Sequence, residues 1–279
     1  MFKHLVITQF NLQKFPRGEK TVEFWIEWTR ERIKLFEKFC LPSFLNQTNK
    51  NFEWLLYFDQ ETPIEFVPFF DRLKKIDFIR ISYAKGYANF DQKYLDDINT
   101  YKQEYDWILT TRVDNDDSLH KDAIKVIQAN FKPQDEFLIS LTSGYVFDTN
   151  QQILAHYYYP MSPFISLIED SKNDSIKGIF YVEHSKWTQL RMSFRKELLG
   201  QNSLSLFIYD QPYWMQVTHG KNVSNTFKRG FPVLKPMSLS DFGVDITTKG
   251  QSASEIPSYF DYPLWKKYFK ASLLNFLKK

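Results

Sequence analysis

Short apolar runs and helical repeats of apolar residues alternate along the first half of the chain. Runs rich in β-branched and aromatic side chains predict strands at Lys3–Phe10, Trp54–Phe58, Phe78–Ser82, Trp107–Thr111 and Glu136–Leu141. Apolar residues at three- and four-residue steps predict helices at Thr21–Phe39 (ended by Pro42), Ile64–Leu73, Asp91–Glu104 and Leu119–Phe131. This alternation predicts an α/β fold with a mostly parallel central sheet and helices on both faces.

The pattern becomes less regular in the second half. Gly144–Asp148 and Ile153–Tyr159 flank Asn150 as the two strands of a hairpin would. Gly178–Glu183 indicates a further strand, and Gln211–Val217 indicates a helix. No linker or repeat interrupts the chain, so we predict one domain over residues 1–279, made of the parts 1–131, 132–263 and a C-terminal helix at 264–279.

Composition excludes some classes of protein. A net charge of +3, without a clustered basic face, does not indicate nucleic acid as a partner. The single cysteine, Cys40, rules out an intrachain disulfide and fits a reducing compartment, and its apolar surroundings favour a buried hydrophobe over a nucleophile. The start of the chain lacks the apolar region of a signal peptide, and no run approaches the roughly 18 apolar residues of a membrane span. We therefore expect a cytoplasmic protein.

Aromatic residues are abundant, at 18 % of the chain. They suit either stacking on sugar rings or a phenylalanine-rich core, and composition does not separate these roles. Near the C-terminus, apolar and basic residues alternate at helical spacing. We favour a helix packed on the core, and the alternative is peripheral contact with an anionic membrane. The apolar set is Trp265, Tyr268, Phe269, Leu273, Phe276 and Leu277, and the basic set is Lys266, Lys267, Lys270, Lys278 and Lys279.

An acidic cluster, Asp114-Asn115-Asp116-Asp117, follows the predicted strand Trp107–Thr111. Carboxylates this close raise one another's pKa unless a cation neutralises them, and hard oxygen ligands suit Mg²⁺ or Mn²⁺. On an extended chain Asp114 and Asp116 would point to the same side as Arg112, which could meet a phosphate. The alternative is a helix N-cap at Asp117 or Ser118, which accounts for one acid and not for three.

Five segments resemble, in order, the rhamnosyltransferase family of GT-A glycosyltransferases: Val6–Asn11, Leu41–Gln47, Phe52–Asp59, Thr111–Asp117 and Tyr209–Asn225. The resemblance implies a single GT-A domain whose 1–131 part binds a nucleotide-sugar and whose 132–263 part faces the acceptor. It also implies a divalent metal, Mn²⁺ or Mg²⁺, that bridges the donor diphosphate.

The resemblance assigns donor-binding roles at the ends of three strands. Asp114 would contact the donor ribose or sugar and, with Asp116, hold the metal. Asp59 would read the nucleobase, and Thr8 and Asn11 would line the base pocket. Arg112 completes the predicted donor site. Gln9 stands where relatives often carry arginine, which leaves the donor less defined.

An acceptor hydroxyl ionises far above neutral pH, so inverting transfer needs a carboxylate base near it. Similar enzymes place that acid at the start of a helix in the second half, and Asp210 fits this position. Asp210 could equally cap a helix that opens at Pro212, and one residue can do both.

His219 is a candidate third metal ligand by the same resemblance, although a lone histidine more often has an ordinary structural role. The pair Glu183–His184 competes with it, and Trp187 could serve as a platform for the acceptor. Lys221 could offset diphosphate charge, although a solvated surface lysine is the commoner case.

The sequence thus predicts metal-dependent transfer of a sugar, with rhamnose suggested by the family, from a nucleotide-sugar to a glycan or lipid-linked saccharide. The alternatives are a retaining or other-sugar transferase, a noncatalytic carbohydrate-binding protein and a metal-dependent phosphohydrolase. The last would need a second cluster of His and Asp ligands, and the sequence lacks one.

Overall fold

Twelve strands build two sheets in the described part of the chain. The computed structural model describes residues 1–13, 21–159, 162–182, 204–219, 227 and 230–252. The strands are β1 Phe2–Gln9, β2 Glu53–Asp59, β3 Ile79–Ala84, β4 Trp107–Arg112, β5 Ser118–Leu119, β6 Phe137–Leu141, β7 Ser143–Asp148, β8 Ile153–Tyr158, β9 Ile165–Asp170, β10 Ser205–Ile208, β11 Trp214–Thr218 and β12 Phe231–Pro232. The helices are α1 Val22–Leu35, α2 Leu41–Leu45, α3 Val67–Leu73, α4 Phe90–Asn99 and α5 Ala123–Ala129.

Within the described residues, the main sheet has seven strands in the order β10-β6-β9-β4-β1-β2-β3. β1 is parallel to β2 and β4, β2 is parallel to β3, and β10 is parallel to β6. Only β9 runs against its neighbours β4 and β6. The carboxyl ends of the other six strands therefore lie along one edge of the sheet, where ligands of α/β proteins bind. The predicted α/β class with a mostly parallel sheet is confirmed.

Helices cover both faces of this sheet because side chains along its strands alternate between two apolar layers. Val6, Trp54 and Phe58 pack with aromatic residues of the α1–α2 region and α3, whereas Leu5, Ile7 and Tyr57 pack with α4. Stacked and edge-on rings fill the first layer; Phe44 lies 3.7 Å from Trp54 between ring centroids. Much of the chain's phenylalanine therefore serves the core.

The second sheet has the order β12-β8-β7-β11-β5. β7 and β8 pair antiparallel across the turn at Asn150, which confirms the predicted hairpin. β5 follows the acidic cluster directly and pairs antiparallel with β11, with Trp214 opposite Leu119. The second sheet thus brings the chain after residue 213 alongside the acidic cluster.

Pro42 does not end the first helix, contrary to the prediction. A π-helical turn, Phe36–Cys40, connects α1 to α2, and Pro42 lies in the first turn of α2. The π turn closes with the Leu41 N–H donating to the Phe36 carbonyl. A proline is tolerated in a first turn because its missing N–H is not needed there.

Two predicted elements of the second half are wrong. Gln211–Val217 is not helical, since β11 occupies Trp214–Thr218. A segment this short does not distinguish helix from strand by its apolar pattern, and here two neighbouring strands supply the backbone partners. The segment after Gly178 contains a 3₁₀ turn, Ile179–Tyr181, instead of a strand.

The backbone at Gly178 takes its partners from side chains. The Gly178 N–H donates to the Glu169 carboxylate at 2.8 Å, and the Ile179 N–H donates to the Thr110 hydroxyl at 3.0 Å.

Two predicted helices are shorter than expected. The helix predicted at Leu119–Phe131 begins late, because Leu119 belongs to β5 and α5 begins at Ala123. α4 ends at Asn99, five residues before the predicted Glu104.

No helix in the described ranges is long and apolar enough to cross a membrane. The predicted C-terminal helix at 264–279 lies outside the described residues.

Gly144 is required by close packing between β7 and β11. A Cβ at this position would lie 2.0 Å from the ring of Trp214, which is fully buried and donates its indole N–H to the Leu141 carbonyl at 2.7 Å. We expect Gly144→Ala to lower the free energy of unfolding by about 1–3 kcal/mol through overpacking, measured by urea denaturation. The double variant Gly144→Ala with Trp214→Leu should lose less free energy of unfolding than the two single variants lose together. Additive losses would contradict the contact.

Candidate functional site

The acidic cluster forms a turn at the carboxyl end of β4. The Asp117 N–H donates to the Asp114 carbonyl at 3.3 Å, so residues 114–117 are not extended. The expectation that Asp114 and Asp116 share one side of an extended chain is therefore wrong. Each of these two carboxylates pairs with a different arginine.

Asp114 is the accessible carboxylate of the turn. Its side chain is 43 % exposed, and Arg112 donates to Oδ1 from Nη2 at 3.0 Å and from Nε at 3.3 Å. The Arg112 guanidinium also lies over the Phe180 ring, 5.4 Å from its centroid. Arg112 and Asp114 therefore offer a guanidinium and a carboxylate together at the strand end.

Asp116 is buried between two basic side chains. Arg32 of α1 forms an ion pair with Oδ2, and His219 Nε2 lies 3.3 Å from the same oxygen. Burial would raise the pKa of Asp116, but the hydrogen bond from His219 and the Arg32 charge outweigh it, so the pKa is lowered. Asp116 is thus held as a carboxylate. It contacts His219, the other candidate metal ligand, which lies 103 residues further along the chain.

Asp117 connects the turn to the second sheet. Its Oδ1 accepts the Val217 N–H at 3.0 Å, and burial together with the charges of Asp116 and Asp114 raises its pKa well above the usual range. The helix-cap alternative for Asp117 and Ser118 is wrong, because α5 begins only at Ala123 and the Ser118 hydroxyl donates to the Phe39 carbonyl. Asp117 therefore aligns β11, which leads directly to His219.

Cys40 lies beneath the same turn as a buried thiol. Its Sγ donates to the Asp114 carbonyl at 3.6 Å. Burial and the charges of the three aspartates raise the pKa of the thiol well above its usual value. The thiol is therefore kept protonated, in agreement with a packing role.

Asn11 and Asp59 meet where β1 and β2 end. The Asp59 N–H donates to Asn11 Oδ1 at 3.0 Å, and the Asp59 carboxylate accepts the Gln13 N–H at 3.1 Å and the Glu61 N–H at 2.9 Å. Asn11 Nδ2 also donates to the Thr62 hydroxyl at 3.0 Å. These buried side chains fix the two loops that flank the predicted base pocket.

Thr8 lies deeper in the sheet than predicted. It is fully buried, its hydroxyl donates to the Val113 carbonyl at 2.7 Å, and it accepts from Trp54 Nε1 at 3.0 Å. The first contact holds β1 against the residue that precedes the acidic turn, and the second holds β1 against β2. Thr8 therefore supports this turn from within the core.

Asp210 lies at the same sheet edge as the acidic turn but not in contact with it. It follows β10, which is three strands from β4, or roughly 14 Å at the usual strand spacing. Its side chain is exposed, and the Tyr213 hydroxyl donates to Oδ2 at 3.0 Å. No helix begins at Pro212, so the helix-cap alternative is wrong. Glu183, His184, Trp187 and Lys221 lie outside the described residues.

Sequence reasoning missed Arg32. It follows Trp28 by four residues and Trp25 by seven, which places it on the apolar face of α1. Its guanidinium lies over the Trp28 ring, 5.0 Å from the centroid. An arginine on an otherwise apolar helix face was the available signal, because such a charge needs a buried partner.

The ligand chemistry at Asp116 fits a divalent metal. Within the described residues no three His, Cys, Asp or Glu side chains are arranged to hold a metal ion. However, Asp116 and His219 present a carboxylate oxygen and an imidazole nitrogen 3.3 Å apart. Mg²⁺ and Mn²⁺ commonly take one or two carboxylates and complete their shells with waters and substrate phosphates, so the Asp116 carboxylate fits either ion, and the His219 imidazole suits Mn²⁺ better than the harder Mg²⁺.

Comparison with known families defines the class of protein to which this chain belongs. It belongs to the family described as "Putative rhamnosyl transferase", whose sequence model matches residues 19–230. The resemblance seen in the sequence segments is therefore confirmed, and a transferase is favoured over a noncatalytic binding protein.

Solved structures show only distant likeness to this chain. S. aureus TarS 1-349 is 13 % identical, with 77 % of this chain and 60 % of that chain covered and a TM-score of 0.40. The same fragment in complex with UDP is 15 % identical, with the same coverage and a TM-score of 0.39. The 4-diphosphocytidyl-2C-methyl-D-erythritol synthase from Anaerococcus prevotii DSM 20548 is 13 % identical, with 74 % and 86 % covered and a TM-score of 0.32. This chain thus spans less than two thirds of the TarS fragment, and no curated protein matches it.

Proposed function

We propose that this glycosyltransferase moves a sugar from a nucleotide-sugar donor to a glycan or lipid-linked saccharide acceptor, with a divalent metal at Asp116 and His219. The contact between these two side chains carries the proposal, since they come from distant parts of the chain and meet beside the acidic turn. The family supports rhamnose as the transferred sugar.

The donor would lie along the carboxyl edge of the main sheet. Its base would enter between the loops fixed by Asn11 and Asp59, and its sugar and phosphates would extend towards Asp114 and Arg112. Mn²⁺ or Mg²⁺ at Asp116 and His219 would supply positive charge against the diphosphate leaving group. Arg112 would supply further charge through guanidinium–phosphate hydrogen bonds.

We assign an inverting displacement with Asp210 as the base. The acceptor hydroxyl oxygen would bond to the anomeric carbon, the bond to the diphosphate would break, and the hydroxyl proton would pass to the Asp210 carboxylate. Asp210 suits this role because it is exposed at the binding edge and is oriented by the Tyr213 hydroxyl. Its separation from Asp114 leaves space for the donor sugar and the acceptor between them.

A thermal-shift screen of UDP-, GDP- and dTDP-sugars, with Mn²⁺ or with EDTA, tests the donor assignment. A ligand at 100 times its Kd stabilises the folded protein by about 2.7 kcal/mol, which corresponds to a rise in Tm of roughly 5 °C for a chain of this size. We expect such a rise for one donor class with Mn²⁺ and a much smaller rise with EDTA. Release of the nucleoside diphosphate in the presence of an acceptor would then confirm transfer. If no nucleotide-sugar raises Tm with or without metal, the proposal is wrong.

A further inference from the structure

The Arg32 guanidinium supplies the positive charge beside Asp116 that a bound metal ion would otherwise supply. Arg32 and Asp116 are each only 12 % exposed in their side chains, and the guanidinium bonds directly to Asp116 Oδ2. Arg32 also lies 3.4 Å from Asn115 Oδ1 and stacks near Trp28. It is therefore held in place by three neighbours, of which only Asp116 is a candidate metal ligand.

A metal ion and the Arg32 guanidinium compete for the same carboxylate. Arg32 and His219 already contact Oδ2 of Asp116, so a divalent ion bonded to this carboxylate would lie close to the Arg32 guanidinium. Two positive groups within a few ångströms repel strongly where little water screens them. Metal binding and the Arg32–Asp116 ion pair should therefore exclude each other.

We propose that Arg32 is an internal counter-cation which holds Asp116 in the metal-free protein and is displaced when the divalent metal binds. This inference rests on the proposed function. Once displaced, the guanidinium keeps its contacts with Trp28 and Asn115 and so remains beside the acidic turn. Arg32 then bonds the donor phosphates, for which its planar fork of N–H donors is suited. Arg32 thus opposes metal binding and favours donor binding.

These two opposite effects give Arg32→Gln a signature that a purely structural role would not produce. Mn²⁺ alone, titrated by calorimetry without donor, should bind about tenfold more tightly to the variant, because no cation has to leave Asp116. UDP, titrated at saturating Mn²⁺, should bind about tenfold more weakly, because a phosphate contact is lost. Arg30→Gln is the matched control, since Arg30 lies on the same helix and pairs with exposed Glu27 and Glu65. That control should leave both affinities unchanged.

An Mn²⁺ affinity in Arg32→Gln that equals or falls below that of the unmodified protein would overturn the inference. If Arg32→Gln does not fold, Arg32→Lys decides, because its shorter arm keeps one charge and weakens the pairing. Its Mn²⁺ affinity should then exceed that of the unmodified protein, and an equal or lower affinity overturns the inference. If EDTA does not reduce turnover of the donor, the inference about Arg32 is overturned, but the transferase function still holds. Tighter Mn²⁺ binding in the variant without turnover of any donor would instead support the inference and count against the function.

Discussion

Asp116→Asn should abolish Mn²⁺-dependent binding of the nucleotide-sugar. The asparagine keeps the size of the side chain but removes the charge that a divalent ion requires, and His219 alone is a weak anchor for such an ion. Calorimetric titration of the donor identified in the screen, with saturating Mn²⁺, should show a loss of affinity on the order of 100-fold or more. Unchanged binding would show that Asp116 does not hold the metal.

The same substitution leaves Arg32 without its carboxylate, so loss of folding has to be separated from loss of the metal. An unpaired buried charge can cost about 3–5 kcal/mol. The double variant Arg32→Gln with Asp116→Asn removes both charges and should recover most of the lost stability while still failing to bind Mn²⁺. Asp71→Asn, at an exposed aspartate paired with Lys74, serves as the surface control and should change neither property.

The main sheet could be predicted from the sequence because its strands are distinct apolar runs. Trp54–Phe58 and Trp107–Thr111 lie between segments with helical spacing, and each forms a buried strand as predicted. The helix prediction at Gln211–Val217 was wrong because Trp214, Met215 and Val217 are buried between two strands contributed by distant segments. Such pairing is not encoded in the local pattern of apolar residues.

The residue types of the candidate site could also be predicted, but their pairing could not. Their position after a buried strand indicates Asp114 and Asp116 as site residues, and resemblance alone indicates His219. The turn at residues 114–117 directs Asp114 to Arg112 and Asp116 to Arg32, which is 84 residues away in the sequence. Only the packing of α1 against the turn brings Arg32 there, and no local spacing rule contains that information.

Asp210→Asn should reduce kcat on the order of 100-fold or more with little change in donor affinity. The asparagine keeps an oxygen for the Tyr213 hydroxyl, but it does not accept a proton from the acceptor hydroxyl. Donor affinity should persist because the metal and phosphate contacts lie about three strands away, near Asp116 and Arg112. The exposed position of Asp210 makes a large change in folding stability unexpected. Release of the nucleoside diphosphate in acceptor-dependent turnover measures kcat, and calorimetry measures donor affinity.

Tyr213→Phe is the matched comparison, because it removes only the hydrogen bond that orients Asp210 and leaves the carboxylate in place. We expect this variant to lower kcat several-fold, well short of the loss in Asp210→Asn, since a free carboxylate still samples the productive orientation. Equal losses in the two variants would indicate that Asp210 acts only by shaping the chain between β10 and β11. Near-normal turnover in Asp210→Asn would assign the role of base to another acid or would indicate a retaining mechanism. Glu183 would be the first acid to test by substitution. The anomeric configuration of the product, read by NMR, distinguishes those two outcomes, because a single displacement inverts the configuration of the transferred sugar and a retaining mechanism keeps it.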